Sequence, residues 1–137
     1  MGDLGVMVFW GESMKYDLNY CVDEYIALCS RLCRKPEDYT KEKVAMHNKC
    51  MKKLNALKKD MYTDVQLTEC VYSVLLNHKD IYVQQSAATD CLTLNIHISK
   101  AIGILKWIIQ HGDRMSAMGA KRTLLIWEGK IRASDPF

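Results

Sequence analysis

Residues 71–80 read VYSVLLNHKD and residues 104–113 read ILKWIIQHGD, with His78 and His111 in register, and Asp80 and Asp113 likewise, at a spacing of 33 residues. The register continues, setting Ala87 against Ala120, Leu92 against Leu125 and Leu94 against Trp127. A fixed spacing sustained over this length marks a repeat architecture. In each copy an apolar segment ends in Asn-His or Gln-His, one residue turns the chain, and an aspartate opens a second segment. Aspartate suits that place because its carboxylate accepts from the free N–H groups of a first helical turn. The unit therefore reads as two helices joined by a tight turn. Such a pair cannot bury its apolar face alone, and stacking pairs buries those faces in a continuous core while leaving an extended surface for recognition.

The same periodicity extends to the rest of the chain. From Asp17, the residues Leu18, Cys21, Val22, Tyr25, Ile26, Cys29, Leu32 and Cys33 recur at spacings of three and four, which predicts an amphipathic helix ended by Pro36. Thr40 can cap a second helix with Val44, His47, Met51, Leu54 and Met61 on one face and lysines on the other. Asp64 can cap a third, from Val65 to about His78, and Asp80 a fourth, to about Asn95. A fifth runs from about Ser99 to His111, where Gly112 stops it, and Asp113 caps a sixth reaching about Glu128. No segment alternates with period two between turn residues. The fold class expected is all-α: about six helices in three antiparallel pairs, stacked as a right-handed α-α superhelix whose first pair is degenerate and acts as a cap. Residues 1–13 fit no helical pattern and read as a tail, with Met14 an alternative start. The domain is expected over 14–132, with a short C-terminal tail at 133–137.

The stretch Asp80, Val83, Ala87, Ala88, Leu92 follows D-x-x-V-x-x-x-A-A-x-x-x-L and resembles the second helix of a HEAT repeat, with Gln84 where many such repeats carry a basic residue. The second copy keeps the Asp, one Ala and the Leu, as Asp113, Ala120 and Leu125. The ankyrin period is also 33, but the T-P-L-H signature and glycine-bearing hairpin of that repeat are missing. From about Leu18 to Lys130 the chain is similar to a small bacterial family catalogued as a domain of unknown function, numbered twenty-nineteen. The residues that carry this likeness are NKCMKKLNALKKD, LLNHKDIYVQQSAATDCL and LLIWEGK around Trp127 and Gly129. The resemblance implies a short HEAT-like fold and supplies no catalytic residues. Small HEAT-like proteins of this kind look similar to immunity proteins that neutralise toxins, an analogy at the level of fold.

Composition bounds the reading. At 137 residues the chain suits one domain, able to bury roughly 70% of its unfolded surface. Its 49% hydrophobic and 26% charged residues are ordinary for a globular protein, and the net charge of +3 permits an acidic partner without demanding one. The N-terminal apolar run, Val6 to Trp10, is too short for the apolar core of a secretory signal, and no stretch approaches the roughly 20 apolar residues of a membrane span. A cytoplasmic location with no membrane association is expected, with Cys21, Cys29, Cys33, Cys50, Cys70 and Cys91 as reduced thiols.

No constellation points to catalysis. Cys29 and Cys33 share a helix face but lack two further metal ligands, and on an apolar stripe they read as packing residues. His78 and His111, equivalent in the repeat, suit the last turn of a helix, where a histidine donates to orphan carbonyls. His47 reads as buried and hydrogen-bonded. Adjacent acids such as Asp23-Glu24 and Glu37-Asp38 cannot converge on one substrate, and there is no glycine-rich phosphate loop. The chain is expected to be a non-enzyme without cofactor or metal.

Two surfaces remain. At about 100° per residue, Lys41, Lys52 and Lys59 nearly superimpose, with Lys49 and Lys53 beside them. This basic stripe suits a solvated face, an acidic protein or nucleic-acid phosphates, while the scarcity of aromatics in it argues against a single-strand stacking platform. The other surface lies away from the apolar arc of the fourth helix, at Tyr82, Gln85, Thr89 and Thr93, which the repeat spacing aligns with Met115, Met118, Arg122 and Ile126. Side by side these would form an interface core, unless a terminal segment carrying Phe9 and Trp10, or Phe137, folds over them. The expectation is a noncatalytic protein-binding module that occludes a cognate toxin domain, with a nucleic-acid-binding helical-repeat protein using the lysine face as the alternative.

Overall fold

Aspartate and threonine caps set most of the helix starts. In the computed structural model, which describes residues 17–136, the elements are α1 (Leu18–Cys29), a 3₁₀ turn (Pro36–Asp38), α2 (Lys41–Met61), α3 (Val65–Leu75), α4 (Ile81–Leu94), α5 (Ile98–His111) and α6 (Arg114–Trp127). Asp17, Thr40, Asp64, Asp80 and Asp113 each accept from an N–H of the first turn that follows. Among the described residues there is no strand, and the chain is all-α with sequence-adjacent helices packed on one another. The expected tail at 1–13, the expected domain start at 14 and Phe137 lie outside the described residues.

Two helix ends depart from expectation. α1 stops at Cys29 rather than Cys33, because Ser30 Oγ donates to the Ala27 carbonyl and the chain tightens into i→i−3 bonds from Arg31 and Leu32. Asp38 then accepts the Arg34 and Lys35 N–H groups, both at 3.0 Å, and these bonds hold its carboxyl below the usual range. α3 stops at Leu75 rather than His78, which instead belongs to the turn into α4. α5 starts at Ile98 behind two left-handed residues, Asn95 (φ 57) and His97 (φ 47). Asparagine tolerates that region, and the His97 ring is tied by Nε2 to the Glu69 carbonyl at 2.9 Å. Gly112 follows α5 where any Cβ would come within 2.7 Å of the Ile108 carbonyl oxygen, so only glycine fits that exit.

The helix α4 is shared by both halves of the molecule. It packs on α1, α3, α5 and α6, and meets α5 as extensively as α5 meets α6. The buried alanines Ala87, Ala88, Ala101 and Ala120 allow these close approaches. Contacts along α1 give its direction: Tyr25 reaches Ser86 and Asp90, Cys29 reaches Ser86, and Arg34 beyond the helix reaches Asp80. The partners step backward along α4, so α1 lies antiparallel to it. Tyr82 reaches Asp113 and Gln85 reaches Ser116, so α6 runs parallel to α4.

At the α1–α4 junction the core is polar. Tyr25 and Tyr72, both fully buried, donate to Asp90 Oδ2 at 2.7 Å, and Lys58 Nζ lies 3.0 Å from the same oxygen. With those hydroxyl protons committed, Ser86 donates to Tyr25 and Tyr62 donates to Tyr72, each at 2.7 Å. One carboxylate on α4 thus gathers α1, α2 and α3. Burial and the Asp90 charge push the Tyr25, Tyr62 and Tyr72 hydroxyls well up, so all three hold their protons. Asp90→Ala should leave Lys58 and two hydroxyls without their acceptor and cost about 3 kcal/mol. Tyr25→Phe should cost only about 1 kcal/mol, because Asp90 keeps two partners. Urea unfolding of both variants measures the difference, and equal stabilities would refute the central place of the carboxylate.

Candidate functional site

The outer side of α4 lies between α1 and α6. Ser86 and Asp90 turn toward α1, Gln85 toward α6, and Tyr82, Thr89 and Thr93 lie on the arc between them. The Thr89 and Thr93 hydroxyls bond the carbonyls of Gln85 and Thr89, one turn back. Their oxygens are thereby committed to the helix, leaving the methyl groups for the surface. Tyr82 is half-buried: Arg34 sits 4.2 Å above its ring and its hydroxyl donates to Asp113 Oδ2 at 2.7 Å. That bond, burial and the Asp113 charge raise the Tyr82 pKa, while the Ser116 N–H leads in holding the Asp113 carboxyl low. Gln85 Nε2 donates to the Ser116 carbonyl, passing Gly119 so closely that a Cβ there would lie 3.1 Å from it.

The α6 side divides the expected surface in two. Met115 is 45% exposed, and Met115 and the half-buried Ile126 fall on the arc that continues the α4 groove. Met118, 49% exposed, lies further round, with Lys121, Arg122, Leu125, Ile131 and Pro136 about an open apolar hollow of about 300 Å³. Arg122 is not presented freely, since its Nη2 donates to the carbonyls of Ala133 (2.8 Å) and Asp135 (2.6 Å). The C-terminal segment therefore flanks α6 at one edge of the face. At the opposite edge, Cys29, Leu32 and Arg34 meet Tyr82, Gln85 and Ser86 around a hollow of about 220 Å³.

The expected basic stripe is on α2, where Lys41, Lys49, Lys52, Lys53 and Lys59 are all exposed. Comparisons with known proteins assign no function. No family model, curated protein or solved structure matches this chain. Among the described residues no group of three His, Cys, Asp or Glu is arranged to hold a metal ion, and no helix is long and apolar enough to cross a membrane.

The histidines of the two repeats have diverged in role. His111 Nδ1 bonds the Trp107 carbonyl one turn back, as a last-turn histidine should, and its ring stacks on Trp107 at 4.7 Å. His78 Nδ1 instead accepts the Asp80 N–H at 3.0 Å and braces the start of α4. His47 is half-buried and its Nδ1 accepts from the Cys33 N–H at 3.0 Å. The residue missed by the sequence reading is Asp90. Its signal was available, because on α4 it falls about 20° from Val83, at the edge of the Val83/Leu94/Ala87 arc, where an acid needs partners.

Cys33 lies outside α1 and its thiol donates to the Asp38 carbonyl, so Cys29 and Cys33 are not a pair on one helix face. Burial raises the Cys21 thiol to about 11 and the Cys91 thiol to about 12, aided by the Asp17 and Asp90 charges respectively. Both stay protonated and unreactive near neutrality. A thiol reagent at pH 8 should modify the exposed Cys70 fast and the half-buried Cys33 slowly, reaching Cys21, Cys29, Cys50 and Cys91 only in denaturant. Mass mapping of the labelled sites checks this; rapid labelling of any buried thiol would contradict the packing.

Proposed function

We propose that this chain is a noncatalytic protein-binding module that receives its partner on the α4–α6 face. In line with the fold-level analogy between small HEAT-like proteins and immunity proteins, we further propose that the partner is a toxin domain neutralised by steric occlusion. The observation that carries the reading is the exposure of Met115 and Met118 beside neighbours whose polar groups are already committed within the chain. Methionine is adaptable and enriched in interface cores. A floor with its hydrogen bonds satisfied is rigid before binding, which lowers the ordering cost of association. A stable complex would bury roughly 1,200–2,000 Å² in total, about half of it on this chain.

The test is capture from native cells with wild-type, Met115→Glu and Met118→Glu proteins as bait, with and without nuclease, read by mass spectrometry. A single stoichiometric protein retained after nuclease by the wild type, and lost from both variants with helicity and urea midpoint unchanged, is the expected result. Equal recovery by both variants would refute the surface. A captured protein that is harmless when produced without this chain would refute the toxin assignment.

A further inference from the structure

We infer that α2 carries a second binding surface, specific for the phosphate backbone of duplex nucleic acid and independent of the α4–α6 face. α2 is an edge helix: it packs extensively on α1, slightly on α3, and otherwise faces solvent. On its outer line lie Lys41, Ala45, Asn48, Lys52, Asn55, Ala56 and Lys59, all exposed and each within about 60° of the Lys41–Lys59 axis, with Lys49 about 80° from it. The acids of this helix, Glu42 and Asp60, fall about 100° round, on the flank that holds Lys49 and Lys53. The outer arc therefore carries no negative charge.

The ion pairs that join elements of the fold use other cations. Lys43 pairs with Asp38, Lys58 with Asp90, and Arg34 with Asp80. Among the described residues Lys41, Lys49, Lys52 and Lys59 lie within ion-pair distance of no carboxylate. The outer row of α2 is thus uncompensated, as are the exposed Lys79, Lys106 and Lys121; what distinguishes the row is its alignment along one line of a single helix.

The residues between these lysines decide the class of ligand. A protein interface is organised round desolvated aromatic or aliphatic anchors, and the arc offers only two alanines and two asparagines. Phosphate contacts need no anchor: lysine and asparagine are both ordinary donors to the backbone, and small residues let it approach. With no aromatic on the arc to stack a base, the duplex is favoured over a single strand. From Lys41 to Lys59 the helix rises about 27 Å, roughly eight base-pair steps. Contacts of this kind read charge and spacing, without base sequence.

Fluorescence anisotropy of the full chain with a labelled duplex of about 24 base pairs tests the assignment, with the same single strand and a polyglutamate peptide as competitors. Four lysine–phosphate contacts predict a slope of log K against log salt of about −3.6, or about 150-fold weaker binding at 200 mM than at 50 mM. Lys52→Glu with Lys59→Glu should at least halve the slope, whereas Lys79→Glu with Lys106→Glu, the same charge change elsewhere, should leave most of the binding intact. Circular dichroism confirms that each variant remains helical. No binding at 50 mM salt, equal loss in the two double variants, or preferential competition by polyglutamate or the single strand would each overturn the assignment. None of these results depends on Met115 or Met118, so the α4–α6 reading stands or falls separately.

Discussion

The Asp90 carboxylate is the constraint round which the helices are arranged. A buried acid is tolerated only when its charge is balanced and its lone pairs are occupied, and here an ammonium from α2 and hydroxyls from α1 and α3 meet both needs. Apolar side chains would hold these helices together in many registers, because hydrophobic contact has little directionality. A carboxylate that needs Tyr25, Tyr72 and Lys58 at hydrogen-bond distance permits few. The second tier, Ser86 on Tyr25 and Tyr62 on Tyr72, fixes the direction of each hydroxyl and extends the ordered network to the surface of the core.

The two sides of α4 follow from this arrangement. Its inner arc holds Val83, Ala87, Ala88 and Cys91 in the core, and Asp90 binds the first three helices. Its outer arc is left as a floor between α1 and α6, with Tyr82 braced by Arg34 and Asp113 and with Gln85 spanning to Ser116. The edge position of α2 has the same origin, since α1 occupies the place along α4 and α2 reaches across to it through the Lys58 ammonium. The surface available for binding is therefore whatever the polar junction does not require.

Local features were legible in the sequence. A cap acts over three residues, so Asp17, Thr40, Asp64, Asp80 and Asp113 announce their helices without tertiary help, and the period of apolar residues gives the all-α class. What escaped was set by partners distant in sequence. Asp90 on an apolar arc reads as an exception until Tyr25 and Tyr72 are beside it. Leu32 and Cys33 continue the period of α1, yet Asp38 pulls the chain out of the helix. The 33-residue register predicts one role for His78 and His111, but the bond each makes depends on the turn beyond it. Of the candidate site, helix alignment placed Tyr82, Gln85, Thr89, Met115 and Ile126 on neighbouring helices; it could not foresee that Arg122 engages the C-terminal segment.

The Asp90 junction also limits how such a chain can grow. In an open solenoid each repeat touches only its neighbours, so copies can be gained or lost with little effect on the remainder. Here α1 lies directly along α4, and Lys58 of α2 closes on the same carboxylate. An additional helix pair inserted between α2 and α3 would carry Tyr25 and Lys58 away from Asp90 and leave a buried charge on α4. The carboxylate thus fixes how many helices stand between α2 and α3, a limit that an open stack does not have.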